Sequence, residues 1–304
     1  MNVIGTVLSI FLLLFIGYAA KKVRLLRAED ADVLNTLVIY LTIPPFIFNA
    51  VYSYREPLPL SLAKVPVIGF VTILLVLTLA YALGRALRLD RRMLGGMIVA
   101  CGFGNTGFLG YPVVLAAFGS GGALVTAALY DELAMALPLY TLGVLIIAGF
   151  AGERVSRSQL LSVLKLPGIW AIPAALILRP FDLPQPLLTV LRYLGDGTIP
   201  LVMISLGLSL SARSLRGVLA PALVVCVLKL AVLPFLTYQG LVLGGVTGVA
   251  SQVTVVEAAM PSAMMSAVLA AKFGSSGTFV CAVIFVSTLL SIVTIPATLL
   301  LLGV

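Results

Sequence analysis

Apolar residues run in long blocks along this chain, and short polar clusters separate them. A transmembrane helix needs about 20 apolar residues, and ten blocks approach that length, at roughly 2–20, 33–51, 64–84, 93–118, 122–149, 161–179, 187–210, 217–239, 248–270 and 278–302. The sixth is the weakest, because Pro167, Pro173 and Pro180 interrupt it. The pattern predicts an all-α membrane protein with ten transmembrane helices. The first block lacks a basic segment ahead of it, and "KKVRLLR" follows it instead of a small-residue cleavage site. It reads as a retained helix, not a signal peptide.

The fourth block contains "GFGNTGFLGYP", residues 102–112, with no charge from Met93 to Gly119. Each glycine weakens a helix by roughly 1 kcal/mol. Non-helical backbone at membrane depth is tolerated only where protein buries it or it lines a cavity. The fourth helix is therefore expected to break here. The ninth block carries "VVEAAMPSAMMSAVLAAKFG", where Pro261 lacks a backbone donor and clashes with the preceding turn. The fourth-block stretch also matches G-x-G-x-x-G, but that fingerprint requires a strand before it and a helix in water after it. Its context excludes a dinucleotide site. The glycines suit close helix packing as well, and the two roles are compatible.

The halves repeat. "TIP" occurs at 42–44 and at 198–200, an offset of 156. Pro66 and Pro221, and the two "FGS" runs at 118–120 and 273–275, are offset by 155. Pro138 and Pro296 are offset by 158. Residues 1–150 and 151–304 then form two five-helix repeats. Five is odd, so the second repeat is inverted, a signature of secondary transporters. Broken helices at matching positions of the two halves point to the transport site. Crossed there, their N-termini would suit an anion and their carbonyl ends a cation.

Composition agrees with this picture and orients it. Hydrophobic residues make up 61% of the chain and charged residues 10%, with mean hydropathy +1.19; soluble domains carry about 25% charge. No polar stretch is long enough for a soluble domain. Fourteen lysines and arginines fall in the loops of one side and four on the other, with Lys229 inside a span. The positive-inside rule puts both termini outside the cytoplasm. The net charge of +8 thus reports orientation and not nucleic-acid binding. Cys101, Cys226 and Cys281 lie in apolar runs and read as small core residues. With no histidine there is no histidine-based catalysis, zinc site or pH switch, and no metal or cofactor is expected.

Several motifs resemble the auxin efflux carrier family of membrane transporters. They are "LTIPPFIFNA", "GNTGFLGYPVVLAAFG", "AALYDELAMALPLYTLG", "LPGIWAIPAALIL", "IPLVMISLGLSL", "EAAMPSAMMSAVLAAKFG" and "STLLSIVTIPATLL". The resemblance implies a sodium/proton-antiporter or bile-acid-symporter type fold. Its scaffold would comprise helices 1, 2, 6 and 7. Its transport domain would comprise helices 3–5 and 8–10, with a crossover of broken helices 4 and 9. It implies an organic-anion substrate, auxin in plant members and malate or malonate in some bacterial ones, and a homodimer. Plant members have proline where this chain has Gly104, and often a long loop where residues 150–160 form a short basic link. The chain is similar to a compact prokaryotic member, expected in the plasma membrane.

Asp131, Glu132, Asp196, Lys229 and Glu257 are ionisable residues within spans; such residues are costly in hydrocarbon and are functional candidates by default. Asp131 and Glu132 are adjacent, so on a helix only one is expected to face the crossover. Asp196 reads as solvated near the outer end of span seven. Lys229 reads as a carboxylate partner or as snorkelling. The substrate-binding candidates are Asn49, Gly104, Asn105, Thr106, Asp131, Glu257, Pro261 and Ser262. Asp131, Gln252, Glu257 and Lys229 are candidates for coupling to a proton or to sodium. Tyr111, Tyr130 and Tyr140 read as interface or packing residues. The expected function is transport of a small organic anion by an elevator-like motion. A proton- or sodium-coupled cation exchanger is the alternative. An intramembrane enzyme lacks a catalytic motif, and a receptor lacks a signalling domain.

Overall fold

The computed structural model describes residues 3–210 and 219–304. Arg213 and Arg216, counted above on the basic side, lie outside the described residues. The described regular elements are helices: α1 (Val3–Lys22), α2 (Asp30–Ser53), α3 (Ser61–Ala86), α4 (Arg91–Gly102), α5 (Thr106–Phe118), α6 (Gly122–Ala151), α7 (Arg157–Lys165), α8 (Pro167–Leu178), α9 (Gln185–Ser209), α10 (Leu219–Leu243), α11 (Gly248–Ala258), α12 (Met264–Lys272) and α13 (Gly277–Leu301). Among the described residues there is no strand, and one isolated antiparallel bridge joins Gly104 to Ser262. Six helices, α2, α3, α6, α9, α10 and α13, are each long and apolar enough to cross a membrane. The pair α7–α8 joins them as a span bent by 47°. The chain is an integral, multi-pass, all-helical membrane protein. The bend falls at Leu166–Pro167, in the span whose prolines marked it as weakest. Pro173 is carried inside α8.

Four wide π-helical turns recur at one spacing from a proline. Val38–Thr42, Thr106–Gly110, Tyr130–Ala136 and Leu228–Val232 end two residues before Pro44, Pro112, Pro138 and Pro234. A helical proline collides with the carbonyl four residues back. That residue lies in the wide turn each time, so the extra residue per turn relieves the clash without ending the helix. Asp131, Glu132 and Lys229 all sit in such turns.

Two packed groups emerge. Helix α9 packs along α1 and against α2, and α8 packs against α2. Gly17 and Gly207 let the α1 and α9 backbones touch: a Cβ on Gly207 would lie 2.6 Å from the Tyr18 nitrogen, and one on Gly17 would lie 2.8 Å from the Ile204 Cα. Small residues at such contacts are the rule between helices in lipid. In the second group α3 packs on α4 and α10, α4 on α6, α10 on α11 and α13, α11 on α6, and α12 on α13. The fully buried Phe103, Tyr111, Tyr130 and Phe279 belong to this second group.

Candidate functional site

The breaks between α4 and α5 and between α11 and α12 meet each other. The Asn105 N–H donates to the Pro261 carbonyl at 2.7 Å, and the Ala263 N–H donates to the Phe103 carbonyl at 3.0 Å. The Ser262 hydroxyl donates to the Ala100 carbonyl at 2.8 Å, and its N–H donates to Ser287 Oγ at 3.2 Å. Each break thereby satisfies backbone groups that lipid could not. The four glycines of the quoted stretch all have negative φ, so left-handed backbone is not why they are glycine. A Cβ at each would meet a specific neighbour: Leu77 at Gly102, the Lys229 Nζ at 3.0 Å from Gly104, an Asp131 carboxyl oxygen at 3.0 Å from Gly107, and the Glu257 carboxyl group at Gly110. Three of the four make room for an ionisable side chain.

The adjacent carboxylates diverge towards different helices, although both line one cavity. Asp131 accepts a hydrogen bond from the Thr106 hydroxyl and lies against Gly107, so it stands at the N-terminus of α5. Glu132 lies against Gly168, in the first turn of α8. A helix N-terminus carries partial positive charge, which gives each carboxylate a favourable place. Glu257 is fully buried, with neither oxygen hydrogen-bonded. Lys229, also fully buried, donates to the Ala258 carbonyl at 2.7 Å. It neither snorkels nor hydrogen-bonds to a carboxylate there.

A cavity of about 310 Å³ opens beside the crossing. Gly104, Asn105, Thr106, Asp131 and Glu132 line it, together with Asp32, Asn35, Tyr140, Met264, Met265 and Cys281. The amide Nδ2 of Asn105 is buried and has no hydrogen-bond partner. Met264 and Met265 begin α12, and the first N–H groups of a helix have no intrahelical acceptor.

Other sequence candidates lie elsewhere. Glu257, Pro261 and Ser262 are buried within the crossing, outside the lining. Asn49 faces Gly195 of α9 and does not line the cavity. Gln252 donates to the Leu302 carbonyl at 3.0 Å, at the end of α13, and so caps a helix away from the crossing. Asp196 is exposed, but it lies midway along α9, since that helix already begins at Gln185. Cys281 is not a core residue: it is exposed and lines the cavity, while Cys101 and Cys226 are buried. Tyr111 and Tyr130 are buried packing residues, but Tyr140 lines the cavity. Asp32 gave little signal because it sits in a polar run, "AEDAD", that reads as a loop edge; Asn35, which precedes the "TIPP" prolines within the second block, accepts from the Ser205 hydroxyl at 2.6 Å.

Interrupted helices that meet beside an open cavity, with polar and acidic side chains set in a largely apolar lining, point to the class: a multi-pass membrane transporter. The chain belongs to the family described as membrane transport protein, whose model matches residues 2–159 and 151–299, and the resemblance to auxin efflux carriers stands. It is 38% identical over 294 residues to an "uncharacterized transporter" of Methanothermobacter thermautotrophicus, covering 96% of this chain and 95% of that one. It is 33% identical over 296 residues to another such transporter of Methanocaldococcus jannaschii, covering 95% of each. It is 27% identical over 306 residues to a "putative malonate transporter" of Rhizobium meliloti, covering 97% and 94%.

Proposed function

We propose that the chain moves a small organic anion, malonate-like in class, by alternating access at the crossing. The observation that carries this is the unpartnered Asn105 Nδ2 at the cavity, which the first residues of α12 also line. The malonate description of the Rhizobium meliloti relative supports the substrate class. Ten spans in two inverted repeats fit the element order, because each half runs through three helical spans, an interrupted helix and a long helix. The antiparallel bridge between the breaks suits inversion. The packing of α1, α2, α8 and α9 supports a scaffold against which the remaining helices move as a transport body. Asn105 and Thr106 would bind the anion, while Asp131 holds the α5 N-terminus. The likeness to prokaryotic transporters supports residence in the plasma membrane, and the loop charges support both termini lying outside the cytoplasm.

A second reading is favoured by one observation. Asp32, Asp131 and Glu132 line the cavity, and among the described residues no lysine or arginine does. A proton- or sodium-coupled cation exchanger would use such carboxylates as ion ligands. Thermal unfolding of the purified protein in detergent separates the two. Malonate should raise the midpoint of wild type and leave that of Asn105→Ala unmoved. The variant should fold, since the Asn105 bond to Pro261 is main-chain. A wild type that responds to pH or to sodium and not to malonate would favour the exchanger. Asp131→Asn should then abolish ion flux in proteoliposomes.

A further inference from the structure

Among the described residues, Lys229 is the fully buried basic side chain. The wide turn Leu228–Val232 sets it on α10 facing the crossing, and its Nζ donates to the carbonyl of Ala258, the last residue of α11. That carbonyl has no intrahelical partner, and the carbonyl end of a helix carries partial negative charge. In inverted-repeat transporters, the carbonyl ends of half-helices are where coupling cations are held. The other wall of the Lys229 site is Gly104: a Cβ there would lie 3.0 Å from Nζ and 3.1 Å from Cε. Glu257 precedes Ala258, is enclosed, and has two oxygens without a partner.

We propose that Lys229 is a tethered cation that fills the coupling-cation position at the carbonyl end of α11, so that this transporter works without sodium, and that Gly104 is small in order to admit it. A tethered ammonium is present at any external ion concentration and needs no dehydration of a metal ion at each cycle. Sodium offered to the wild type finds the carbonyl already taken. Removing the side chain vacates a space bounded by the Ala258 carbonyl and Gly104, which a small free cation can enter.

The proposal rests on the transporter reading for the idea of coupling, but its test reads cation binding and needs no transported substrate. Thermal midpoints are measured in sodium chloride, methylammonium chloride and choline chloride at equal ionic strength. Wild type is expected to give one midpoint in all three. Lys229→Ala is expected to unfold earlier in choline and to recover in sodium or methylammonium. A wild type stabilised by sodium, or a Lys229→Ala protein indifferent to both small cations, overturns the proposal. If Lys229→Ala does not fold, Gly104→Ala carries the test. Its methyl presses the ammonium off the Ala258 carbonyl, and the midpoint should fall by a few degrees; an unchanged midpoint overturns the assignment. Failure of malonate to shift any of these proteins would count against the organic-anion reading alone.

Discussion

Gly110 shows how a single position can be set by a neighbour distant in sequence. Its φ is ordinary for a helix, and alanine would be the better helix former. Alanine is nevertheless excluded, because its methyl would collide with the Glu257 carboxyl group, which is itself fully enclosed. Gly110→Ala should cost roughly 1–3 kcal/mol by overpacking, read as a lower thermal midpoint, and Glu257→Ala in the same chain should restore part of it. A neutral Gly110→Ala would mean that Glu257 has room to move. Asn105 is the converse case. Its backbone is committed to Pro261 while its side-chain amide is uncommitted, so its substitution should separate ligand response from folding.

Pairs of helices carry the next level of information. α1 and α9 approach until backbone touches backbone at Gly17 and Gly207. Lys21 adds hydrogen bonds to the carbonyls of Leu208 and Leu210, just where α9 ends. Cations suit a helix C-terminus. Gly207→Val would drive two methyl groups into the α1 main chain, which cannot yield as a flexible side chain can. A loss of more than about 2 kcal/mol is expected, measured by thermal unfolding in detergent, and wild-type stability would mean that these helices part readily. The wide turns belong to this scale too. Proline spacing predicts where a helix is disturbed; the response is a widened turn that keeps the helix going and re-aims Asp131, Glu132 and Lys229.

At the scale of the molecule, the cavity is open to a chemical probe at one thiol. Cys281 lines it and is exposed, whereas Cys101 and Cys226 are buried. Buried structural thiols are inert. A maleimide should therefore label wild type at Cys281 and spare the other two, and malonate at saturating concentration should slow that labelling. Equal labelling of Cys101 would mean that the crossing opens to solvent more widely than the cavity implies. The basic loops add a second whole-molecule expectation, that reagents reaching the C-terminus do so from outside the cytoplasm.

Sequence by itself determined the solvent, the all-helical class and the place of both interruptions, because apolar length and backbone chemistry act locally. A block of about 20 apolar residues has few options in lipid, and a glycine-rich or proline-containing stretch inside one must be rescued by protein. It also marked Asn105, Thr106 and Asp131, since polar groups are rare and costly in such blocks. Only the tertiary structure decided what each does. Asp131 and Glu132 are neighbours in the chain, yet they serve the starts of two different helices. Gln252 and Asn49 looked like ligands and instead face a helix end and a helix interface. Cys281 looked like core and faces the cavity. The glycines looked like breakers, yet most of their work is to admit Leu77, Lys229, Asp131 and Glu257. The reason is common to all of them: a side chain's role depends on which distant helix lies opposite, and that is set by packing across the whole molecule.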